Sequence, residues 1–157
     1  MKHLIVCLLL CLGLTTKTQT IVQLPEYYDG YGVLIPATVH FNMKFDNFHT
    51  LYTPTIEEAH SCEQLIDSLI KAKKLNLHIS KDFNLRAWYR QYIGIKKLND
   101  SSKYVFVNFM NFSDSLLAEE WFGSWRSAIV SGSGEFYEIN CRIILINLSA
   151  LTIAKDW

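Results

Sequence analysis

Residues 87–112 read AWYRQYIGIKKLNDSSKYVFVNFMNF, two aromatic-rich runs separated by a short polar break. The first run extends from Ala87 to Lys97 and the second from Lys103 to Phe112. Both runs alternate in the manner of β-strands and lack helical spacing. The break, LNDS, has the composition of a turn. The stretch therefore predicts a hairpin of two adjacent antiparallel strands, and the other elements are placed relative to it.

The segment before the hairpin, TPTIEEAHSCEQLIDSLIKAKKL, has helical spacing. Two start sites fit: Thr53 with Pro54 in the first turn, or Thr55 with Glu58 in a capping box. Acidic residues come early and lysines late, which complements the helix dipole. We predict a helix from about 55 to 75. Its apolar face consists of Ala59, Cys62, Ile66 and Leu69, with Leu65 and Ile70 beside it.

Shorter elements surround these two. Residues 33–43, VLIPATVHFNM, predict an edge strand, and residues 124–130, 135–143 and 151–157 predict three more strands. A single helical turn fits before Gly123. A helix with one apolar stripe must cover another layer. The predicted fold class is therefore α+β, with one long helix packed across a curved antiparallel sheet of four to five strands, as in cystatin-like and NTF2-like folds.

The beginning of the chain predicts export. Lys2 precedes an unbroken apolar run from Leu4 to Leu14, and small residues follow at the usual cleavage spacing. This run is shorter than the roughly 20 residues that span a bilayer. We expect residues 1–20 to be a signal peptide and residues 21–157 a single domain, secreted to the periplasm or outside the cell. Lipoprotein anchoring at Cys11 is less favoured, because a large residue, leucine, precedes this cysteine.

Composition limits the partners of the chain. The net charge is zero, with 15 basic and 15 acidic residues. Removal of Lys2 and Lys17 with the signal peptide leaves 13 basic and 15 acidic residues, a net charge of about −2. A nucleic-acid binder usually carries a basic patch, which is missing here. We therefore expect no nucleic-acid partner, no transmembrane span and no cofactor; the oligomeric state stays open.

The two cysteines of the mature chain, Cys62 and Cys141, form an even number in an oxidising compartment. Alternation in 135–143 places Tyr137, Ile139, Cys141 and Ile143 on one strand face, directed toward the predicted helix. A disulfide between the two cysteines would close a loop of roughly 80 residues and stabilise the fold by a few kcal/mol. The alternative is two buried free thiols.

No catalytic or metal-binding set is evident in the sequence. The histidines His40, His49, His60 and His78 do not combine with one another or with cysteine at a zinc-like spacing. The SGSG segment precedes a predicted strand rather than a helix, so it favours a hairpin turn over a phosphate-binding loop. We therefore assign no catalytic residue and no metal ligand.

The binding candidates lie on the hairpin. Trp88, Arg90 and Tyr92 share one face of the first strand, and Asn108 lies on the neighbouring strand. The other face, with Tyr89, Gln91 and Ile93 among its residues, is more apolar and is expected to meet the helix. Arginine among aromatic rings is typical of recognition sites. More often such a face reflects ordinary cross-strand packing, in which the stem of arginine covers a ring.

Three segments together carry a family resemblance. YTPTIEEAHSCEQLI, WYRQYIGIKKLNDSSKYVFVNF and SWRSAIVSGSGEFYEINCRI resemble a group of small exported proteins of Bacteroidetes bacteria, with a T-P-T helix start and an R-Q-Y-[IV]-G strand. The resemblance covers residues 52 to about 155. The chain departs from the group at SGSG, where Asp-Gly-Gly is usual, and at AKDW, where the group has Asn-Gly. The resemblance implies export and one domain, and it brings no reaction and no catalytic residue.

Three functions follow as hypotheses. The first is a secreted, non-catalytic domain that binds a macromolecule or a surface component. The second is a small-ligand-binding or enzymatic protein with an NTF2-like cavity, for which Arg90, Tyr92, Asn108 and Glu138 are the polar candidates. The third is a cystatin-like protease inhibitor. It would use the QYIG segment as a loop, together with Gly30 or Gly32 and the Ser-Trp dipeptide that ends at Trp125.

Overall fold

The computed structural model describes residues 20–23, 31–39, 48–75, 87–97 and 102–154. Except for Thr20, the predicted signal peptide lies outside these residues. The described elements, in chain order, are β1 (Thr20–Gln23), β2 (Tyr31–Leu34), β3 (Phe48–Tyr52), α1 (Ile56–Lys71), β4 (Trp88–Lys97), β5 (Lys103–Asn111), α2 (Ser115–Phe122), α3 (Glu135–Asn140), β6 (Cys141–Asn147) and β7 (Thr152–Ile153).

The seven strands form one mixed sheet in the order β1-β2-β4-β5-β6-β7, and β3 pairs with β4 as well. β2 runs parallel to β4, and the other pairs are antiparallel. The α+β class is confirmed. The sheet, however, is mixed and has seven strands rather than four or five, and three helices accompany it in the part of the chain that the structure describes.

The predicted hairpin is present and forms the centre of the sheet. β4 and β5 pair from Trp88 opposite Asn111 to Lys96 opposite Lys103. The predicted LNDS turn, residues 98–101, lies outside the described residues. Residues 90–95 and 105–110 are buried without interruption. Such continuous burial indicates a strand covered on both faces, which is why alternation alone did not identify an inner and an outer face.

The predicted helix is present as α1 and begins at the second of the two start sites. The side chain of Thr55 accepts a hydrogen bond from the backbone N–H of Glu58, and the Glu58 carboxylate accepts one from the backbone N–H of Thr55. This capping box satisfies two donors at the helix start. The helix ends at Lys71, a few residues before the predicted end near 75.

Each face of the sheet has its own hydrophobic core. The α1 core lies between α1 and the sheet and includes Cys62, Ile66, Trp88, Tyr92, Val107, Phe109 and Ile144. The second core, which we call the α2–α3 core, lies on the opposite face and includes Val33, Ile93, Phe106, Met110, Phe122, Trp125 and Leu145. Neighbouring strand residues therefore contribute to opposite cores.

Two predicted strands are wrong in whole or in part. Residues 124–127 form turns, residues 128–130 are irregular, and residues 135–140 form α3. The reason for the second error is the length of the partner strand. Met110 pairs with Cys141, and β5 ends at the next residue, so no strand is available opposite residues 135–140. β2 ends at Leu34 and covers only the first two residues of the strand predicted over 33–43, of which residues 40–43 lie outside the described residues.

The cysteines are not bonded to each other, and both are free in the structure. Cys62 belongs to the α1 core, whereas Cys141 packs against the α2–α3 core on the opposite face of the sheet. Of the two alternatives, the structure therefore matches two free thiols. The expectation that the face carrying Cys141 meets the long helix is wrong, because Cys141 packs against the α2–α3 core.

Within the described ranges, no helix is both long and apolar enough to cross a bilayer.

Candidate functional site

Three of the four predicted binding residues lie beneath α1. Trp88 and Tyr92 are members of the α1 core, and Arg90 lies between them on the same face of β4. The exposed fraction is 4% for Trp88 and 0% for both Arg90 and Tyr92. The expectation that this face points away from the helix is wrong, because α1 covers it.

A buried carboxylate from α1 joins these residues. The Nε atom of Arg90 lies 3.2 Å from Oε1 of Glu63, and the hydroxyl of Tyr92 donates to the same oxygen at 2.8 Å. Arg90 also donates to the backbone carbonyl of Trp88, and its guanidinium lies 4.9 Å from the centre of the Phe109 ring. This Glu63–Arg90–Tyr92 cluster links the helix to the centre of the sheet.

Electrostatics in the cluster are dominated by loss of water. Burial raises the pKa of Glu63 above its usual value, although the neighbouring Arg90 opposes this change. Burial and the nearby carboxylate raise the pKa of Tyr92 well above that of a free tyrosine. The side chains of the cluster fill the interface between α1 and β4. Of the two interpretations of the RQY segment, this arrangement matches internal packing.

The fourth predicted binding residue, Asn108, lies on the other side of the sheet. It is paired with Gln91 in the register of β4 and β5, and both side chains are buried. Nδ2 of Asn108 donates to Oε1 of Gln91 at 3.1 Å and to the backbone carbonyl of Val130 at 2.8 Å. The structure thus separates Asn108 from Trp88, Arg90 and Tyr92, and the predicted four-residue site does not form.

The Gln91–Asn108 pair fixes the path of residues 125–130. Nε2 of Gln91 donates to the backbone carbonyls of Trp125 at 2.6 Å and Ala128 at 2.7 Å. Oε1 of Gln91 accepts from the backbone N–H of Val130 at 2.9 Å. Buried backbone groups need hydrogen-bond partners, and here two side-chain amides replace a neighbouring strand. This is the physical reason why the predicted strand at 124–130 is an irregular loop.

A cleft of about 550 Å³ opens beside Asn108. One side is the loop after Val130, and the other is the end of α3 with the start of β6. Asn108 and Glu138, two of the four polar candidates for a cavity, line it, whereas Arg90 and Tyr92 lie beneath α1. The remaining lining residues are Val130, Ser131, Gly132, Tyr137, Cys141, Arg142 and Ile143.

The second notable surface is formed by α2 and α3. Leu116 is 85% exposed, Ile139 56% and Trp121 46%, and Leu117 is exposed as well. Trp121 connects the two helices, since its ring stacks on that of Phe136 with centroids 4.5 Å apart. We call Leu116, Leu117, Trp121 and Ile139 the apolar ridge. Isolated exposed apolar residues are common, but a group on adjoining helices is typical of an interaction surface.

Acidic residues outnumber basic ones around the ridge. Between residues 113 and 142 the chain has five acidic and two basic residues. The acidic ones are Asp114, Glu119, Glu120, Glu135 and Glu138, and the basic ones are Arg126 and Arg142. All five acidic residues are exposed, so the surface around the ridge is negatively charged.

No metal centre is formed by the residues that the structure describes, because three or more His, Cys, Asp or Glu side chains do not come together anywhere among them. The two thiols are held in the protonated form. Burial raises the pKa of Cys62, and it raises the pKa of Cys141 to about 12. Thiols with such values are weak nucleophiles near neutral pH.

Two residues that organise the interior were missed at the sequence level. Glu63 was counted among the charges that complement the helix dipole, and Gln91 was assigned to a face expected to meet the helix. One signal was available for Glu63: it directly follows Cys62 and lies four residues from Ala59, and thus borders the apolar stripe. For Gln91 the signal was that it is the one amide on an otherwise apolar strand face, between Tyr89 and Ile93. This pattern indicates a buried amide.

The QYIG and Trp125 segments named for cystatin-like inhibition are not exposed loops; Gly32 is a buried residue of β2, and Gly30 lies outside the described residues. QYIG is the middle of β4, and its four residues, from Gln91 to Gly94, are buried, as is Trp125. Inhibitory loops must reach a protease, and these segments lie inside the domain. Comparisons with protein-family models, curated proteins and solved structures gave no match for this chain.

Proposed function

We propose that the chain is an exported, non-catalytic domain that binds another protein through the apolar ridge. The observation that carries this proposal is the exposure of Leu116 and Ile139 beside the Trp121–Phe136 stack. Protein interfaces are enriched in aromatic residues at their centre and have a polar rim. The ridge has this composition, since its aromatic and aliphatic side chains are surrounded by carboxylates.

The charge around the ridge indicates the chemistry of the partner. A negative rim favours a protein surface with apolar residues flanked by lysine or arginine, and it accelerates association with such a partner. The same rim repels anionic lipid headgroups and nucleic-acid phosphates. We therefore expect a basic, partly apolar protein surface, and we expect binding to weaken as salt concentration rises.

The experiment is site-specific photo-crosslinking in the producing cells. A photoreactive amino acid replaces Leu116, and a matched chain carries it at Leu151, which is 51% exposed and lies near β7. We expect one defined protein adduct from position 116 and none of the same mass from position 151. The partner, once identified and purified, is titrated against the wild-type domain at low and high salt.

Substitutions test whether the ridge makes the contact. Leu116→Ser combined with Ile139→Ser is expected to weaken binding of the purified partner by about 100-fold, because hot-spot residues each contribute about 1–2 kcal/mol or more. Leu151→Ser is expected to leave affinity unchanged. Wild-type affinity in the ridge variant would refute the proposal, as would an adduct that consists of two copies of this chain.

Export and the wider fold relationship belong to the same proposal. The apolar run from Leu4 to Leu14 supports export, and mass spectrometry of the mature N-terminus tests it. The position of α1 across one face of the sheet supports a cystatin-like or NTF2-like relationship. The parallel pairing of β2 with β4 and the helices on the second face weigh against it.

A further inference from the structure

The cleft and the apolar ridge share helix α3. Ile139 belongs to the ridge, and Phe136 stacks on Trp121 there. The two residues between them in the chain, Tyr137 and Glu138, line the cleft. The ring of Tyr137 also makes an edge contact with the ring of Trp121, with centroids 5.9 Å apart. A protein that covers the ridge at Trp121 therefore lies beside the cleft as well.

The negative charge around the ridge continues to the cleft. Glu138 is one of the five exposed acidic residues around the ridge, and it also lines the cleft. Within the described ranges its carboxylate forms no ion pair. The basic rim that we expect of the ridge partner therefore finds a complementary charge next to the cleft, which favours contact of that partner with both surfaces.

The walls of the cleft are mostly apolar. Val130, Ile143 and Tyr137 contribute carbon atoms, and Cys141 adds a weakly polar thiol. A side-chain carbon at position 132 would lie only 2.2 Å from the ring of Tyr137. The loop at Gly132 is thus held close to α3, which gives the cleft a defined shape.

The charged residues that line the cleft are Glu138 and Arg142, one of each sign. Arg142 donates to the backbone carbonyls of Glu138 and Cys141, which holds its positive charge beside the cleft. An anionic side chain would lose water in the presence of Glu138, and a cationic one in the presence of Arg142. An apolar side chain has no ion hydration to lose and is stabilised by burial against carbon.

We infer that the cleft receives a large apolar side chain of the protein that binds the apolar ridge. The inference rests on the proposed function, because it assigns a second contact to the same partner. The cleft, with a volume of about 550 Å³, has room for the side chain of tryptophan, the largest of the twenty. Side chains that fill a pocket beside a flat contact are typical hot spots of protein interfaces.

The chemistry of the cleft is tested with four capped amino acids. N-acetyl-tryptophanamide and N-acetyl-leucinamide have large apolar side chains, N-acetyl-lysinamide is a cation, and the α-amide of N-acetylglutamic acid is an anion. Each probe is titrated into the full chain, and the methyl NMR shifts of Val130 and Ile143 follow binding. We expect saturable shifts with both apolar probes at millimolar concentration. Both charged probes are expected to bind at least about tenfold more weakly, because only the apolar side chains gain from burial.

A matched pair of variants tests whether the partner enters the cleft. Ser131 lines the cleft, whereas Ser133 is exposed in the same loop and does not line it. Ser131→Phe fills part of the cleft and is expected to weaken binding of the apolar probes and of the purified ridge partner by about tenfold or more each. Ser133→Phe is expected to change neither. Both serines are exposed, so both variants are expected to fold, and their backbone spectra verify this.

Results at the cleft and at the ridge can be told apart. The double variant Leu116→Ser, Ile139→Ser is expected to lose the partner and to keep wild-type affinity for the apolar probes. If neither apolar probe shifts the methyl groups, or if the charged probes bind equally well, the inference is overturned while the ridge contact stands. Wild-type affinity for the partner in a folded Ser131→Phe variant would overturn it too. Absence of any ridge partner would overturn both proposals.

Discussion

Arg90 and Gln91 are consecutive residues of β4, yet they stabilise opposite faces of the sheet by different means. Arg90 forms an ion pair with Glu63 of α1, so that a charge from the strand meets a charge from a helix. Gln91 is neutral and bonds mainly to the backbone of residues 125–130. The backbone N–H and C=O groups of a regular helix bond to one another, whereas those of an irregular loop need partners elsewhere. The two faces of the sheet therefore require different polar partners.

The difference shows what each buried polar group specifies. The Glu63–Arg90–Tyr92 cluster fixes the position of α1 over the sheet, because displacement of the helix would separate buried charges. The Gln91–Asn108 pair fixes the course of a loop instead. On that face Oδ1 of Asn108 has no hydrogen-bond partner among the described residues, and Asn108 lines the cleft.

The largest expected effect on stability is that of substituting Glu63, on the face of the sheet that α1 covers. Glu63→Ala removes one partner of a buried ion pair and leaves Arg90 without it, which typically costs about 3–5 kcal/mol. Urea unfolding followed by tryptophan fluorescence measures the change in the free energy of unfolding. Gln64→Ala, at the exposed neighbouring position of α1, is the control and is expected to change little. A loss of only about 0.5 kcal/mol, as at ordinary surface sites, would show that the cluster contributes little.

Substitution of Gln91, on the opposite face of the sheet, is expected to lower the free energy of unfolding less than Glu63→Ala does. Its effect is expected to be more local. Gln91→Leu keeps the bulk of the side chain and removes the bonds to Trp125, Ala128 and Val130, at a cost of about 2–3 kcal/mol. Hydrogen exchange should show faster exchange at the Val130 amide, while α1 stays protected. Gln64→Leu is the matched control. Unchanged exchange at Val130 would mean that the loop does not depend on the amide pair.

The pH dependence of stability tests the charged cluster without truncating it. Burial raises the folded-state pKa of Glu63 above 4.5, so the native state binds its proton more tightly than the unfolded state does. The corresponding contribution to stability is complete below pH 4.5 and is lost as pH rises through the raised pKa. We expect wild type to lose stability relative to Glu63→Gln as pH rises from below 4.5 toward neutrality. A gain over that range would mean that Arg90 outweighs burial.

The smallest effect concerns the thiols on the two faces. Burial raises the pKa of both, so iodoacetamide should modify neither rapidly near neutral pH. Cys141, which is half-buried in the cleft, should react about tenfold faster than Cys62 beneath α1 because it is more accessible. Peptide mass spectrometry measures both rates. Both residues should react in denaturant without a reductant, and failure to react would indicate a disulfide.

The elements with strong local signals were predictable from the sequence. The capping residues Thr55 and Glu58 located α1, and the two aromatic runs located β4 and β5. The first six residues of the predicted strand 135–143, which form α3, were not predictable in the same way, since the start of β6 depends on where β5 ends. The parallel pairing of β2 with β4 was missed because it joins segments that are distant in the chain.

The candidate site was harder to predict, for a physical reason. Alternation grouped Trp88, Arg90 and Tyr92 correctly on one face, but both faces of the hairpin are apolar enough to be buried. The sequence therefore did not indicate which face α1 covers. Asn108 was assigned to the wrong group for the same reason. Its remaining acceptor becomes evident only when the bonds of Gln91 and Val130 are known.

The use of one edge of β4 by two strands has a consequence for how the chain folds. β2 pairs with residues 90–92, and β3 pairs in the opposite direction with residues 94–97. Both short strands thus need β4 as a template, whereas β4, β5 and β6 are joined by contacts closer in sequence and have less loop-closure entropy to overcome. We expect pulsed hydrogen exchange during refolding to show protection of β4 and β5 before β2; the reverse order would exclude this route. In the cell, β2 and β3 are synthesised before β4, the strand with which both pair, so these early strands are expected to join the sheet only after the central strands have been made.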